Sequence, residues 1–345
     1  GVPPGLFAAD MKNPVFIFNN MDTVLKDPFD KNEAVLDVID NAHKKLQYSL
    51  TEMYPDSLVL SINVAVMHQK LIKLITAENG VSTVQHGKKK LGPYMCVPFG
   101  KILKGIIIPN TVTKTLHTQK NFTPDLIHFT IDEYPYYASI DDQVRTLRSF
   151  NRKVILVDDL LHKGYRMRSL NPILNENDVQ VQKLMVGLLS GRGKDLMTVQ
   201  GRDVDSVYYT PNLKAWFVES SQYPFIGGDG VKRDAHEERS TSDSINLILP
   251  YVSPSFLRKT DQSALYDFSM TTLENARDIL KILEQEYQMI FKRKLTLKRL
   301  SEAVISPMLP DTGTSRDYDM GISASRYVED DIERLGRLKG LVGNK

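Results

Sequence analysis

Val154-Ile155-Leu156-Val157-Asp158-Asp159-Leu160-Leu161-His162-Lys163-Gly164-Tyr165-Arg166 decides how this chain is read. The four consecutive aliphatics, mostly β-branched, predict a strand buried on both faces, as in a parallel sheet. Two carboxylates stand where that run ends. A short loop with one glycine follows, and basic residues sit around the glycine. Open α/β sheets bind ligands just beyond the carboxyl ends of their strands. Acids and a basic glycine loop at that place suit a ligand that offers hydroxyls or a metal to the acids and a phosphate to the loop. A solvent-facing Asp-Asp turn between a core strand and a helix is the plainer alternative.

The run resembles the 5-phosphoribosyl-1-pyrophosphate (PRPP) motif of the type I phosphoribosyltransferases. That motif has four hydrophobic residues, two acids, two hydrophobic residues and a short glycine loop closed by a hydroxyl or basic residue. The resemblance implies that Asp158 and Asp159 are the catalytic pair. They would hold the ribose hydroxyls and meet Mg²⁺ indirectly, through the ribose that binds it. It also implies that His162, Lys163, Gly164, Tyr165 and Arg166 wrap the 5-phosphate with backbone N–H groups. The family normally has small or hydroxyl residues at the positions of His162 and Lys163, and Thr or Ser at that of Arg166. Cationic side chains here would replace hydroxyl donors.

Other stretches add candidates. Asn110 to Thr115 is rich in hydroxyls and carries Lys114, which reads either as a phosphate-friendly strand end or as an amphipathic edge strand. Ser190-Gly191-Arg192-Gly193-Lys194-Asp195 follows a predicted strand and precedes a short helix. Arg192 and Lys194 there suit an anion site, or a left-handed glycine turn with exposed cations. His86 to Pro93, with Lys88 to Lys90, reads as a basic flap or a solvated connector. In the purine-type members of the family, an aromatic segment before a glycine-aspartate run encloses the base. By that analogy Trp216 and Phe217 would stack on a base; core packing is the other reading.

Composition narrows the classes. The 345 residues suggest two domains, or one large domain with an extension. With 41% hydrophobic and 25% charged residues the chain is of ordinary globular type. A net charge of +2 gives no reason to expect nucleic acid. The lone Cys96 excludes an internal disulfide and fits a reducing, cytoplasmic setting. No apolar run approaches membrane-spanning length. There is no Cys/His metal cluster, no Walker Gly-Lys-Ser/Thr and no nucleophile elbow. Seven histidines are scattered, and only His162 falls inside a candidate site.

The rest of the chain alternates predicted strands (15–18, 57–66, 103–109, 126–131, 183–189) with helices (33–50, 67–78, 139–150). A helical end follows: 271–291, 295–305 and 325–338. The helix after Arg166 is expected to be short because of Pro172. The expectation is a doubly wound, mostly parallel α/β domain of phosphoribosyltransferase type over residues 1–255, with a helical region over 256–345. The helical end suits an oligomer contact, such as a homodimer, or a lid.

Phe150 to Gly164, Leu188 to Met197 and Tyr223 to Asp229 also look like the region that follows a nucleotidyltransferase (cytidylyltransferase-type) domain in some bacterial proteins. The absent initiator Met agrees with a fragment of that kind, but the His-x-Gly-His motif of that activity is missing. The function expected is binding of PRPP or a nucleotide with Mg²⁺, with transfer of a phosphoribosyl group to a nitrogen nucleophile. The alternative is a non-catalytic PRPP- or nucleotide-binding regulatory domain, attached to or partnering a nucleotidyltransferase.

Overall fold

A computed structural model describes residues 13–85, 90–100, 106–123, 125, 127–231, 242–252, 261–310 and 316–342. Most of the Lys88–Lys90 stretch and the first part of the strand expected over 103–109 lie outside these residues. Residues 106–108 are described and form no strand, and Ile107 is exposed.

In chain order the strands are Val15–Asn19 (β1), Val59–Asn63 (β2), Met95–Pro98 (β3), Val112–Thr113 (β4), Thr118–Phe122 (β5), Phe129–Glu133 (β6), Val154–Leu161 (β7), Val181–Ser190 (β8), Val204–Thr210 (β9), Ala215–Val218 (β10), Asp229–Val231 (β11), Ser242–Ile245 (β12) and Met308–Pro310 (β13). The helices are Glu33–Met53 (α1), Val64–Glu78 (α2), Ile140–Ser149 (α3), Tyr165–Glu176 (α4), Gly191–Gln200 (α5), Glu219–Gln222 (α6), Gln262–Phe291 (α7) and Ala324–Val342 (α8). The chain folds into two compact units whose segments alternate in sequence. The first holds Ile62–Lys120 and Thr130–Ala215; the second holds Val15–Ser61, Asn121–Phe129 and Trp216–Lys345.

The first unit carries a five-stranded sheet in the order β4-β3-β7-β8-β9, with every neighbouring pair parallel. Its central strands are continuous apolar runs because helices cover both faces. On one face, Leu71 and Ile75 of α2 pack on Cys96, Ile155, Val157 and Met185. On the other, α3, α4 and α5 pack on Val97, Val154, Leu156, Leu184 and Val186 through residues such as Val144, Met167, Leu170 and Met197. The expectation of an α/β fold with a mostly parallel sheet therefore holds for this unit. From β3 the chain steps to β4 on one side and later returns to β7 on the other. The order thus reverses between β3 and β7, which makes that gap the sheet's topological switch point.

Several boundaries moved for local reasons. β2 stops at Asn63, whose side chain accepts the Val66 N–H and starts α2 inside the stretch expected to be strand. β7 continues through both aspartates to Leu161 instead of ending at Val157. Helix α4 runs to Glu176 with Pro172 inside it. Pro172 forfeits one N–H bond there, and burial of Met167, Leu170 and Leu174 outweighs that loss.

In the second unit, α1 and α7 pack together, and Asn275 Nδ2 donates to Ala42 O at 2.8 Å. Helix α7 starts nine residues before the predicted Thr271, at Gln262, and ends on Lys292 in the left-handed region. Where a helix was expected over 295–305, only a 3-10 turn at Leu297–Glu302 forms. The three-stranded sheet β10-β1-β2 leaves β2 at an edge.

Gly187 sits in central strand β8, where an added Cβ would lie 2.3 Å from Met67 Sδ and 2.7 Å from Asp159 O. The methionine end can move, but the backbone oxygen of β7 cannot. Gly187→Ala should therefore destabilise the protein by about 1–3 kcal/mol, read as a lowered midpoint in urea denaturation. An unchanged midpoint would mean that α2 and β7 are less tightly apposed than described.

Candidate functional site

The acid pair lies at the switch point. Successive strand residues point to opposite faces, so Asp158 follows Val154 and Leu156 toward the α4 side. Asp159 follows Ile155 and Val157 toward α2. Both side chains are buried, at 6% and 4% exposure. Both nevertheless reach the end of β3 at Gly100. A Cβ there would stand 2.2 Å from Asp158 Oδ1 and 2.6 Å from Asp159 Oδ2. Any side chain at position 100 would displace the carboxylates.

Each acid has its own basic residue beside it. Arg166, in the first turn of α4, exerts an electrostatic pull on Asp158. Its Nε is buried and makes no hydrogen bond. His68 of α2 puts Nε2 3.6 Å from Asp159 Oδ1. Asp158 Oδ1 also accepts the Asp159 N–H at 2.7 Å. Burial nevertheless dominates and pushes Asp158 up to about 7, with the Asp159 charge adding to the rise. A carboxyl held near neutrality in this way can take or give a proton, and it gains from any ligand that donates hydrogen bonds or positive charge.

Gly164 supplies the turn out of this region. It takes φ 72°, and a Cβ there would meet Leu196 Cδ2 at 2.1 Å. Only glycine meets both demands. As N-cap of α4 it brings no side chain to the helix start. The first N–H groups of a helix lack intrahelical partners and favour anions.

The other predicted residues fall in several places. His162 is buried, with Nδ1 2.7 Å from Ser190 Oγ, and Ser190 Oγ accepts the Gly193 N–H to cap α5. Burial, then the charges of Arg192 and Lys163, lower its pKa, so His162 is neutral near pH 7 and links the β7 end to α5. Lys163, Tyr165, Arg192 and Lys194 are exposed, and Lys194 Nζ sits 5.2 Å over the Tyr209 ring. Gly191 and Gly193 do not form a left-handed turn. They are needed because a Cβ would strike Pro211 O at 2.7 Å and Leu161 O at 2.3 Å. Lys114 is exposed just past β4, and its N–H donates to Cys96 O.

Trp216 and Phe217 belong to the second unit. Trp216 is half-exposed, edge-on to Phe18, and Phe217 packs against Tyr54 and Phe268. Among the described residues no three His, Cys, Asp or Glu side chains converge in a direct metal cage. Also among them, no helix is long and apolar enough to cross a membrane.

Sequence reasoning missed two members of the site. Gly100 follows Met95-Cys96-Val97-Pro98-Phe99, a buried apolar run before a glycine, which was a readable strand-end signal. His68 had none, since only the packing of α2 on the sheet brings it to Asp159. No protein-family model matches the chain, and no curated protein sequence matches it.

The raised Asp158 makes a pH prediction. Its folded pKa lies above its unfolded value of about 3.9, so the protonated form favours folding. That contribution is complete below pH ~4 and is lost as pH rises toward about 7. Asp158→Asn cannot ionise. Its stability relative to the native protein should climb across that window, by about 1–4 kcal/mol, and level off above it. Urea melts at several pH values would read this, and a pH-independent difference would contradict the assignment.

Proposed function

We propose that the first unit binds a 5-phosphorylated ribose, as PRPP or a nucleotide, together with Mg²⁺, at the carboxyl edge of β3 and β7. Asp158 and Asp159 accept the ribose hydroxyls, and the uncapped start of α4 with Arg166 takes the 5-phosphate. The observation that carries this reading is the buried acid pair converging on Gly100 at the switch point, one turn from an anion-favouring helix start.

The donor set fits an ion held mainly by the ligand's own oxygens. Two acids and one imidazole are too few to cage Mg²⁺, which prefers six oxygens and keeps several waters. When bound, the ion would neutralise pyrophosphate charge. The chain's own part is to orient the ribose and, through Asp158 and Asp159, to stabilise positive charge that develops on the sugar ring. With a nitrogen nucleophile in place, pyrophosphate would leave C1, which makes the unit a phosphoribosyltransferase. Without one, it is a PRPP- or nucleotide-sensing module for an attached enzyme such as a nucleotidyltransferase.

Thermal stabilisation by PRPP, ribose 5-phosphate and pyrophosphate, each with and without Mg²⁺, tests binding. PRPP with Mg²⁺ should raise the melting temperature. Asp159→Asn should weaken PRPP binding at least tenfold, or about 1.4 kcal/mol, and leave pyrophosphate binding less affected. Pyrophosphate release in the presence of a panel of bases separates transfer from sensing. No stabilisation by any phosphorylated ribose or nucleotide would end this reading.

A further inference from the structure

One stretch of the first unit carries polar and aromatic groups that the acid pair does not account for. The chain past β4 runs beside the end of β3. Lys114 N–H donates to Cys96 O, Leu116 N–H to Pro98 O at 2.9 Å, and Thr118 Oγ1 to Phe99 O at 3.2 Å. The residue after Phe99 is Gly100, on which Asp158 and Asp159 converge. Leu116 packs in the core with Val97, Phe99 and Leu156. Alternation along the strand then turns His117 and Gln119 to the opposite face, the one toward which Val157 and Asp159 point.

Gln119 is buried, and its Oε1 accepts no hydrogen bond. Folded proteins leave few buried polar atoms unsatisfied, and each one calls for an explanation. His117, two residues earlier on the same face, is held firmly through its backbone. Gln143 of α3 accepts the His117 N–H at 2.8 Å and donates to the His117 carbonyl at 3.2 Å, and Tyr134 N–H donates to that carbonyl at 2.9 Å. The ring of Tyr137 lies flat on the imidazole, with centroids 3.8 Å apart and planes 19° from parallel. Tyr134 meets Tyr137 edge-on, and Tyr137 is half-exposed. A fixed stack of rings beside an unsatisfied amide oxygen suits a planar heterocycle, which needs a surface to lie on and a polar partner at its edge. All of these residues belong to the same unit as the acid pair.

We propose that His117, Tyr137 and Gln119 form a subsite for the base of a nucleoside monophosphate. The base stacks on the His117–Tyr137 pair, and an amino group on it donates to Gln119 Oε1. This rests on the ribose-phosphate reading above and adds the base to what the site recognises. Asp158 and Asp159 hold the sugar, the start of α4 holds the phosphate, and the base reaches past the end of β3 to the neighbouring stretch. Stacking tolerates any base. The amide oxygen favours one that carries an exocyclic amino group.

Dissociation constants of AMP and of ribose 5-phosphate for the full chain, measured with Mg²⁺ present, test this. AMP should bind about tenfold tighter or more, as one stacked base warrants. Gln119→Leu and Tyr137→Ala should each weaken AMP about tenfold. Both should leave ribose 5-phosphate binding unchanged, a split that general loss of structure does not produce. The base subsite is overturned, and the ribose-phosphate reading left standing, if AMP binds no tighter than ribose 5-phosphate. The same holds if either variant spares AMP or weakens both ligands alike. If neither ligand binds the native protein, the two readings fall together.

Discussion

Burying two adjacent carboxylates in the middle of a sheet is the constraint on which the first unit depends. Each ion taken out of water carries a penalty of several kcal/mol unless charge and hydrogen bonds are returned to it. Strand alternation decides how they are returned. Because Asp158 and Asp159 point to opposite faces, each is served by the helix layer on its own side: Arg166 from α4 and His68 from α2. Had both acids faced one way, a single helix layer would have had to serve both. The position of α2 and the start of α4 are therefore bound up with the chemistry of the pair as well as with the packing of the sheet.

Glycine makes that arrangement spatially feasible. Gly100 leaves the room into which both carboxylates turn. Gly187 lets β8 lie against the Asp159 carbonyl under α2, and Gly193 lets α5 start on the Leu161 carbonyl. Gly164 turns the chain from β7 into α4 in a left-handed conformation, against Leu196. A side chain at Gly100, Gly187 or Gly193 would push on the acids or the backbone, and one at Gly164 on the Leu196 side chain.

What was legible in the sequence follows from which interactions are local. The run Val154–Val157, the Ser139 cap and the Asn79-Gly80 stop are local statements, and the structure places strand and helices there. The Asp-Asp pair was legible as chemistry for the same reason. The end of β7 was not, because pairing of Leu160 and Leu161 with Leu188 and Leu189 of β8 extends the strand past the acids, and no single-strand pattern reports that. His68 and Arg166 carry opposite lessons. Arg166 is eight residues from Asp158 and came with the motif, whereas His68 is ninety residues away and becomes a partner only through the packing of α2.

The histidines extend the same point to function. A residue's chemistry is set by what its two ring nitrogens face, and that information is not in its own neighbourhood of sequence. His162 lies inside the motif, yet its Nδ1 is committed to the hydroxyl that caps α5, and burial, with the nearby cations, lowers its pKa. Through that nitrogen it ties the end of β7 to α5. His43 lies in the middle of an ordinary amphipathic helix, yet it stands between a buried carboxylate and an exposed hydroxyl. The motif histidine gives one ring nitrogen to the fold. The helix histidine gathers Asn19, Ser61 and Glu219 from separate parts of the second unit, and only the three-dimensional arrangement brings them together.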